Sequence, residues 1–307
     1  MMIRDALLVA LVALAVLFIV RWRVAARSAG VDPGSQHAQR PSLLQIAIGF
    51  VTDFFDTLGI GSFATTTTVY KLLRVVPDEQ MVGTLLVGHS LPVVVQAFIF
   101  LAVVHVDPSV LASLIAVSVL GSWLGAGIAS RLPRRPIQIT MGIGLFAAAL
   151  FMLASQLGLL PGAGTSLTLT PGKLIFALVV NFILGALLML GIGNYAPSMI
   201  LFSLFGMDPR AAFPIMMSSG AMMAMVGGIR FMKAGRFDTR AALGLTLGGI
   251  PAVLVAGLLI RSLPLSVLRW LIVLVVIYAA TMMLRSARAE RRVALLKRDL
   301  LPAEPAA

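Results

Sequence analysis

The chain has no cysteine among its 307 residues. That absence excludes disulfides, thiolate metal sites, cysteine nucleophiles and iron–sulfur ligation together. Charge is scarce too: 12% of the residues are charged, and 12 acidic residues stand against 24 basic ones. A soluble domain carries roughly 25% charged residues. Histidine is limited to His37, His89 and His105, too scattered to suggest a metal cluster. No Gly-x4-Gly-Lys phosphate loop occurs, so ATP is not the expected driving force. No metal and no other cofactor is expected.

What is present is apolar. Hydrophobic residues make up 59% of the chain and the mean hydropathy is +1.01. Several runs reach the roughly 20 residues needed to cross a bilayer, without the alternating segments of about 10 residues that mark a membrane barrel. The expected fold class is an all-α polytopic membrane protein. Spans are expected at 6–20, 80–104, 109–130, 136–157, 210–232, 238–260 and 265–284, with two further apolar segments at 43–74 and 172–206. The net charge of +12 sits in short loops between spans, which reads as membrane orientation and not as nucleic-acid binding.

Counting Lys and Arg by loop gives 19 on one side and 5 on the other. The rich set includes Arg21, Arg23, Arg27, Arg40, Lys71, Arg74, Arg131, Arg230, Lys233, Arg236, Arg240 and the tail from Arg285. The poor set is Arg4, Lys173, Arg210, Arg261 and Arg269. The positive-inside rule makes the rich set, and with it the C-terminal tail, cytoplasmic. Segment 43–74 then starts and ends inside, and 172–206 starts and ends outside. Each is expected to enter the membrane, turn and leave by the same face, giving two repeats of opposite topology; fully crossing broken helices are the alternative.

The turns have a sequence signature. Leu58-Gly59-Ile60-Gly61-Ser62-Phe63-Ala64 returns 132 residues later as Leu190-Gly191-Ile192-Gly193-Asn194-Tyr195-Ala196. Over 58–77 against 190–209, seven of twenty positions are identical. Residues 6–20 stand outside the repeat as an uncleaved helix rather than a signal peptide, and 24–40 reads as a polar linker. The expected organisation is 1–41 first helix and linker, 42–158 repeat 1, 159–171 connecting loop, 172–285 repeat 2 and 286–307 a basic tail on the membrane surface.

A helix start leaves N–H groups free and carries partial positive charge. Ser62 and Asn194 are good N-cap residues directly after the glycines. Two half-helices starting near the midplane would bind a small oxyanion with little net protein charge. The bland alternative is that the glycines only allow close helix packing. Candidate binding residues are Gly59, Gly61, Ser62, Thr65, Thr66, Gly191, Gly193, Asn194, Tyr195 and Ser198. Threonine hydroxyls bonded back to the preceding turn are an equal alternative for 65–68. Pro197 suits a first helical turn, so the two half-sites differ. Asp53 and Asp56 precede the first break, where the second copy has Gly185 and Leu188. Ionisable residues at membrane depth are costly and functional by default. Asp56, the deeper, is read as a proton-coupling group with His89 as a candidate partner; a structural hydrogen bond to a helix end is an equal alternative for Asp56, and a satisfied core histidine for His89. His89-Ser90-Leu91-Pro92 is expected to interrupt its span. The Met-rich stretch 216–225 is read as packing.

Phe54-Phe55-Asp56-Thr57-Leu58-Gly59-Ile60-Gly61-Ser62-Phe63-Ala64 resembles the first motif of the sulfite exporter TauE/SafE family. Gly83-Thr84, Gly88-His89-Ser90-Leu91-Pro92 and Gln96-Ala97-Phe98 are similar to it as well. So are Gly191-Ile192-Gly193-Asn194-Tyr195-Ala196-Pro197, Ala211-Ala212-Phe213-Pro214, Gly228-Ile229-Arg230-Phe231 and Ala241-Ala242-Leu243-Gly244-Leu245. The resemblance covers about 43–285. It implies a two-repeat transporter for sulfite, organosulfonates or related anions. Many members carry proline shortly after the glycines, where this chain has Thr65.

The expected function is therefore a secondary exporter of a small anion in a bacterial inner membrane, not an enzyme. Its expected partners are that anion and the lipid bilayer, and a homo-oligomer is compatible with the sequence. The alternatives are a passive anion channel or uniporter, a non-transporting partner subunit, and an intramembrane protease built on Ser219 and His89. The last lacks a Gly-x-Ser-x-Gly motif.

Overall fold

The computed structural model describes residues 2–28, 40–104, 106–129 and 164–262 continuously, with scattered positions at 139–157 and 267–289. The expected spans 136–157 and 265–284, the tail beyond 289, His37 and His105 lie wholly or largely outside the described residues. Within these limits the chain is all-helical: α1 Met2–Ser28, α2 Leu43–Thr57, α3 Ser62–Leu72, α4 Asp78–Val103, α5 Pro108–Ala129, α6 Pro171–Leu188, α7 Tyr195–Leu204, α8 Pro209–Lys233 and α9 Thr239–Ser262. Six of these helices (α1, α4, α5, α6, α8 and α9) are long and apolar enough to cross a membrane.

Local chemistry sets the helix starts. Ser42 and Gln45 form a reciprocal capping box at α2. Asp208 caps α8, which opens on Pro209. Asp107 and Asp238 occupy equivalent places before α5 and α9. Asp107 accepts from the Ser109 and Val110 amides, and Asp238 from that of Ala241. The Ser109 hydroxyl and these amides hold the Asp107 carboxyl below the usual carboxylate range. α1 outruns the expected 6–20 because Arg21 and Arg23 are good helix formers and do not stop a helix. The first residues of the expected linker, 24–28, are thus helical.

α2–α5 and α6–α9 follow the same order, and their packing is reciprocal: α9 lies along α2, α5 along α6, and α4 along α8. Two of these crossings need glycine. A Cβ on Gly248 would stand 1.9 Å from the Ile46 carbonyl oxygen, and one on Gly121 2.0 Å from that of Phe182. α4 and α8 run antiparallel. Gly83, early in α4, lies against Phe231 and Arg236, while the rings of Phe100 and Phe213 stack at 4.9 Å at the opposite end.

Each broken segment folds back on itself. The Gln45 end of α2 packs on Gly244, and Tyr70, near the end of α3, reaches the Ala241 carbonyl at 3.4 Å. Both ends of that hairpin therefore meet the start of α9. In the second copy Lys173, at the start of α6, donates to the Phe205 carbonyl at the end of α7 at 2.8 Å. This cation also suits the negative end of α7.

α4 and α8 form the centre, and the methionines Met216, Met217, Met222, Met223 and Met225 are buried in it. Large apolar side chains of α1, α6 and α9, such as Val9, Ile175 and Leu258, face outward. α4 does not break at Pro92; it continues from Asp78 to Val103. Proline removes the N–H that would bond the carbonyl four residues back, here Gly88. That carbonyl instead accepts the Thr246 hydroxyl of α9 at 2.6 Å, the kind of substitute partner that lets proline persist in membrane helices. Thr246→Val should therefore cost about 1–3 kcal/mol in unfolding of the purified protein, and Thr246→Ser should restore most of it. Equal stability of the Val variant and the wild type would contradict this account of α4.

Candidate functional site

The chain leaves α2 at Leu58 and re-enters helix at Ser62. Gly59 and Gly61 make the turn with φ of +96° and +83°, and Gly191 opens the second turn with +80°. Side-chain-bearing residues adopt such values only with strain. The structure corrects one expectation at the first turn. The N-cap of α3 is Gly61, and Ser62 is already helical, with no side-chain cap bond. The cap comes from the preceding helix: the Asp56 carboxylate accepts the Ser62 N–H through Oδ1. Asn194 does stand at the N-cap of α7, but its side chain makes no cap bond.

A buried network radiates from this point. Asp56 Oδ2 accepts from Gln96 Nε2 at 2.9 Å, which also reaches the Thr57 hydroxyl at 3.0 Å. Tyr195 donates its hydroxyl to Gln96 Oε1 at 3.3 Å. A second chain runs beside it. His89 Nδ1 lies 2.8 and 3.0 Å from the two Asp53 oxygens, and His89 Nε2 lies 3.0 Å from the Thr66 hydroxyl. A carboxylate only accepts, so Nδ1 donates to Asp53. With a neutral ring, Nε2 then accepts from Thr66. Asp53, His89, Thr66 and Gln96 have no exposed surface, and Asp56 is 2% exposed.

The expected partner of His89 is thus corrected from Asp56 to Asp53. Gly249 makes room for this pair, since a Cβ there would stand 2.1 Å from Asp53 Oδ2. Gln96 and Gly249 escaped the sequence reading as site residues. Gln96 lies seven residues after His89, two helical turns along the same face, a signal that was available. Nothing in the sequence marked Gly249. Neither His89 nitrogen faces Ser219, so the Ser219–His89 pair of a protease is not formed.

The two breaks meet at one small cavity. It is lined by Asp56, Gly61, Ser62 and Phe63 from the first half and by Gly193, Asn194 and Tyr195 from the second, with Val93, Leu188, Gly220 and Ala224 closing it. Its free volume is about 20 Å³, room for a water molecule. Of the expected binding residues, Gly61, Ser62, Gly193, Asn194 and Tyr195 are brought together here. Gly59, Gly191, Thr65, Thr66 and Ser198 are not on its lining. Gly59 packs on Met199, Thr65 bonds back to the Ser62 carbonyl at 2.8 Å, and Thr66 is engaged by His89. Ser198 is fully buried on the first turns of α7.

Removing one member of a buried polar pair strands the other, at a cost of about 3–5 kcal/mol. Asp53→Ala and His89→Ala should each lower unfolding stability on that scale. The double variant should fall short of their sum by about 0.5–3 kcal/mol, and strict additivity would show that the pair is not coupled.

A comparison with protein families adds an independent finding. The model of the sulfite exporter TauE/SafE family matches twice, over residues 2–152 and 153–304. The matched segments reach beyond 43–285 at both ends. No curated protein and no solved structure matches the chain. Across both halves, the chain belongs to the sulfite exporter TauE/SafE family, a family of membrane transporters.

Proposed function

We propose that this protein is a secondary exporter of a small anion such as sulfite or an organosulfonate, bound where the two helix breaks meet. The observation that carries the reading is the shared cavity: segments 132 residues apart in sequence, each opening a half-helix, line the same small space. Free N–H groups at such ends favour anions, and substrate sites of repeat-built transporters lie at discontinuous helices.

The membrane topology is read from the same geometry. α2–α3 and α6–α7 are read as re-entrant hairpins, because both ends of each lie together. The antiparallel run of α4 and α8 supports two repeats of inverted topology. Arg40 and Arg240 adjoin, and Arg236 lies beside the start of α4. Lys173 sits with Phe205 in the other repeat's hairpin. This grouping supports a cytoplasmic face at the rich set and a cytoplasmic C-terminus in a bacterial inner membrane. The lipid bilayer and the anion are the partners of this reading, which needs neither nucleic acid nor cofactor. Asp56 and His89 are its proton-coupling groups, the first on the cavity and the second acting through Thr66 on α3. The narrowness of the cavity favours a carrier that opens over a channel.

The test is flux in proteoliposomes, comparing sulfite, thiosulfate, sulfate, sulfoacetate and acetate with and without a pH gradient. Selective, gradient-driven movement of a sulfur oxyanion is expected. Gly193 has open space around its Cβ position and an ordinary φ, so Gly193→Leu should insert normally. It should cut that flux roughly tenfold or more, because its side chain fills the space the anion needs while the backbone N–H stays in place. Unchanged flux in this variant would place the substrate elsewhere. No flux of any anion in the wild type would favour a partner-subunit role.

A further inference from the structure

The two halves of the cavity are built alike in backbone and unlike in side chains. In the first half Asp53, Asp56, His89, Thr66 and Gln96 each have a hydrogen-bond partner. Asp56 caps α3, Gln96 holds Asp56, and Asp53 and His89 hold Thr66. At the positions 132 residues on, Asp53 becomes Gly185, Asp56 becomes Leu188, His89 becomes Ala221 and Gln96 becomes Gly228. All four partners are gone, yet the groups they would serve remain polar. Ser62 corresponds to Asn194 and Thr66 to Ser198.

The consequence is visible in the hydrogen bonding. Asn194 Nδ2 and Ser198 Oγ are buried without a partner, and so are the hydroxyls of Ser218 and Ser219, just before the cavity-lining Gly220. Buried polar groups are paired in the great majority of cases, and exceptions call for a ligand, a water or a functional reason. Asn194 is 3% exposed, lines the cavity and stands at the start of α7, a helix of 10 residues. This half offers a helix N-terminus and neutral donors with no carboxylate of its own. The first half already holds a carboxylate at its helix start.

Resting on the transport reading above, we propose that the anion binds to the second half alone, at the α7 N-terminus and Asn194. We further propose that Asp56, facing it across the cavity, must carry a proton for the anion to enter. One proton then moves with each anion, in the same direction, so export runs on the outward gradient of the anion itself. A carboxylate and an anion in so small a space repel strongly, and a proton on Asp56 removes that repulsion. Gln96 can turn its amide to serve the protonated form. The ionisable groups facing Asp56 are Asp53 on its own helix, His89 on α4 and Tyr195 on α7. Asp53 and His89 are engaged with each other, and α3 presents the neutral Ser62.

The test uses the full chain in proteoliposomes with methanesulfonate, whose charge does not change with pH, and sulfite in parallel. Wild-type affinity should fall as pH rises, and an outward anion gradient should carry protons out with it. Asp56→Asn, which keeps an oxygen for the Ser62 N–H, should bind as the wild type does at low pH, show no pH dependence and carry no proton. Asn194→Ala should bind about tenfold or more weakly at every pH and keep the pH dependence. Proton movement opposite to the anion in the wild type, a measurement that needs no variant, would overturn the proposal. Wild-type pH dependence surviving in Asp56→Asn would do the same. Wild-type affinity in Asn194→Ala would overturn the location. A wild type that moves neither anion would instead remove the transport reading beneath it.

Discussion

Asp56 holds the start of α3, and the rest of the site is arranged around that bond. A helix that begins inside a protein has N–H groups with no partner in their own chain. Within a bilayer, water cannot supply the missing acceptors. The first break solves this with a carboxylate from the helix just left, and Gln96 and Tyr195 then tie that carboxylate to α4 and α7. Three helices of repeat 1, α2, α3 and α4, are thereby joined at the Asp56 side chain, and α7 of repeat 2 is joined to them through Gln96. The Asp53–His89–Thr66 chain repeats the tie one turn away, linking α2, α4 and α3.

The glycine breaks, the helices that flank them and the repeat itself were legible in the sequence, because each has a signature of its own. Glycine pairs inside apolar runs mark the turns. The pairing inside the site was not legible. Asp53 and Asp56 are three residues apart, nearly one helical turn, so both lie on the face of α2 that meets α4. Which of them meets His89 depends on the crossing of α2 and α4, set by contacts such as Gly249 against Asp53. Ser62 looked like a cap because the residue type fits. A carboxylate already at the helix start takes that role. Pro92 looked like a break because its effect on the Gly88 carbonyl is local, whereas the Thr246 hydroxyl that compensates lies 154 residues further along the chain.

The halves of the chain thus share a backbone plan and divide the chemistry. Repeat 1 carries the two carboxyl groups and the imidazole, each satisfied from within. Repeat 2 carries neutral donors, several of them unsatisfied, around the same cavity. A pair of identical half-sites would place either two carboxylates or none at the centre. The division places one charge opposite one set of donors, an arrangement in which the occupancy of one side bears on the other.

The absence of native cysteine makes a direct probe of the central claim simple. A single Gly193→Cys variant sits on the cavity wall with room for the thiol. Its rate of labelling by a small membrane-impermeant thiol reagent would be measured with and without methanesulfonate. If the meeting point of the two breaks is where the anion binds, labelling slows as the anion concentration rises and saturates with the concentration dependence of transport. A labelling rate indifferent to the anion, in a variant that still transports it, would contradict the assignment of this cavity as the binding site.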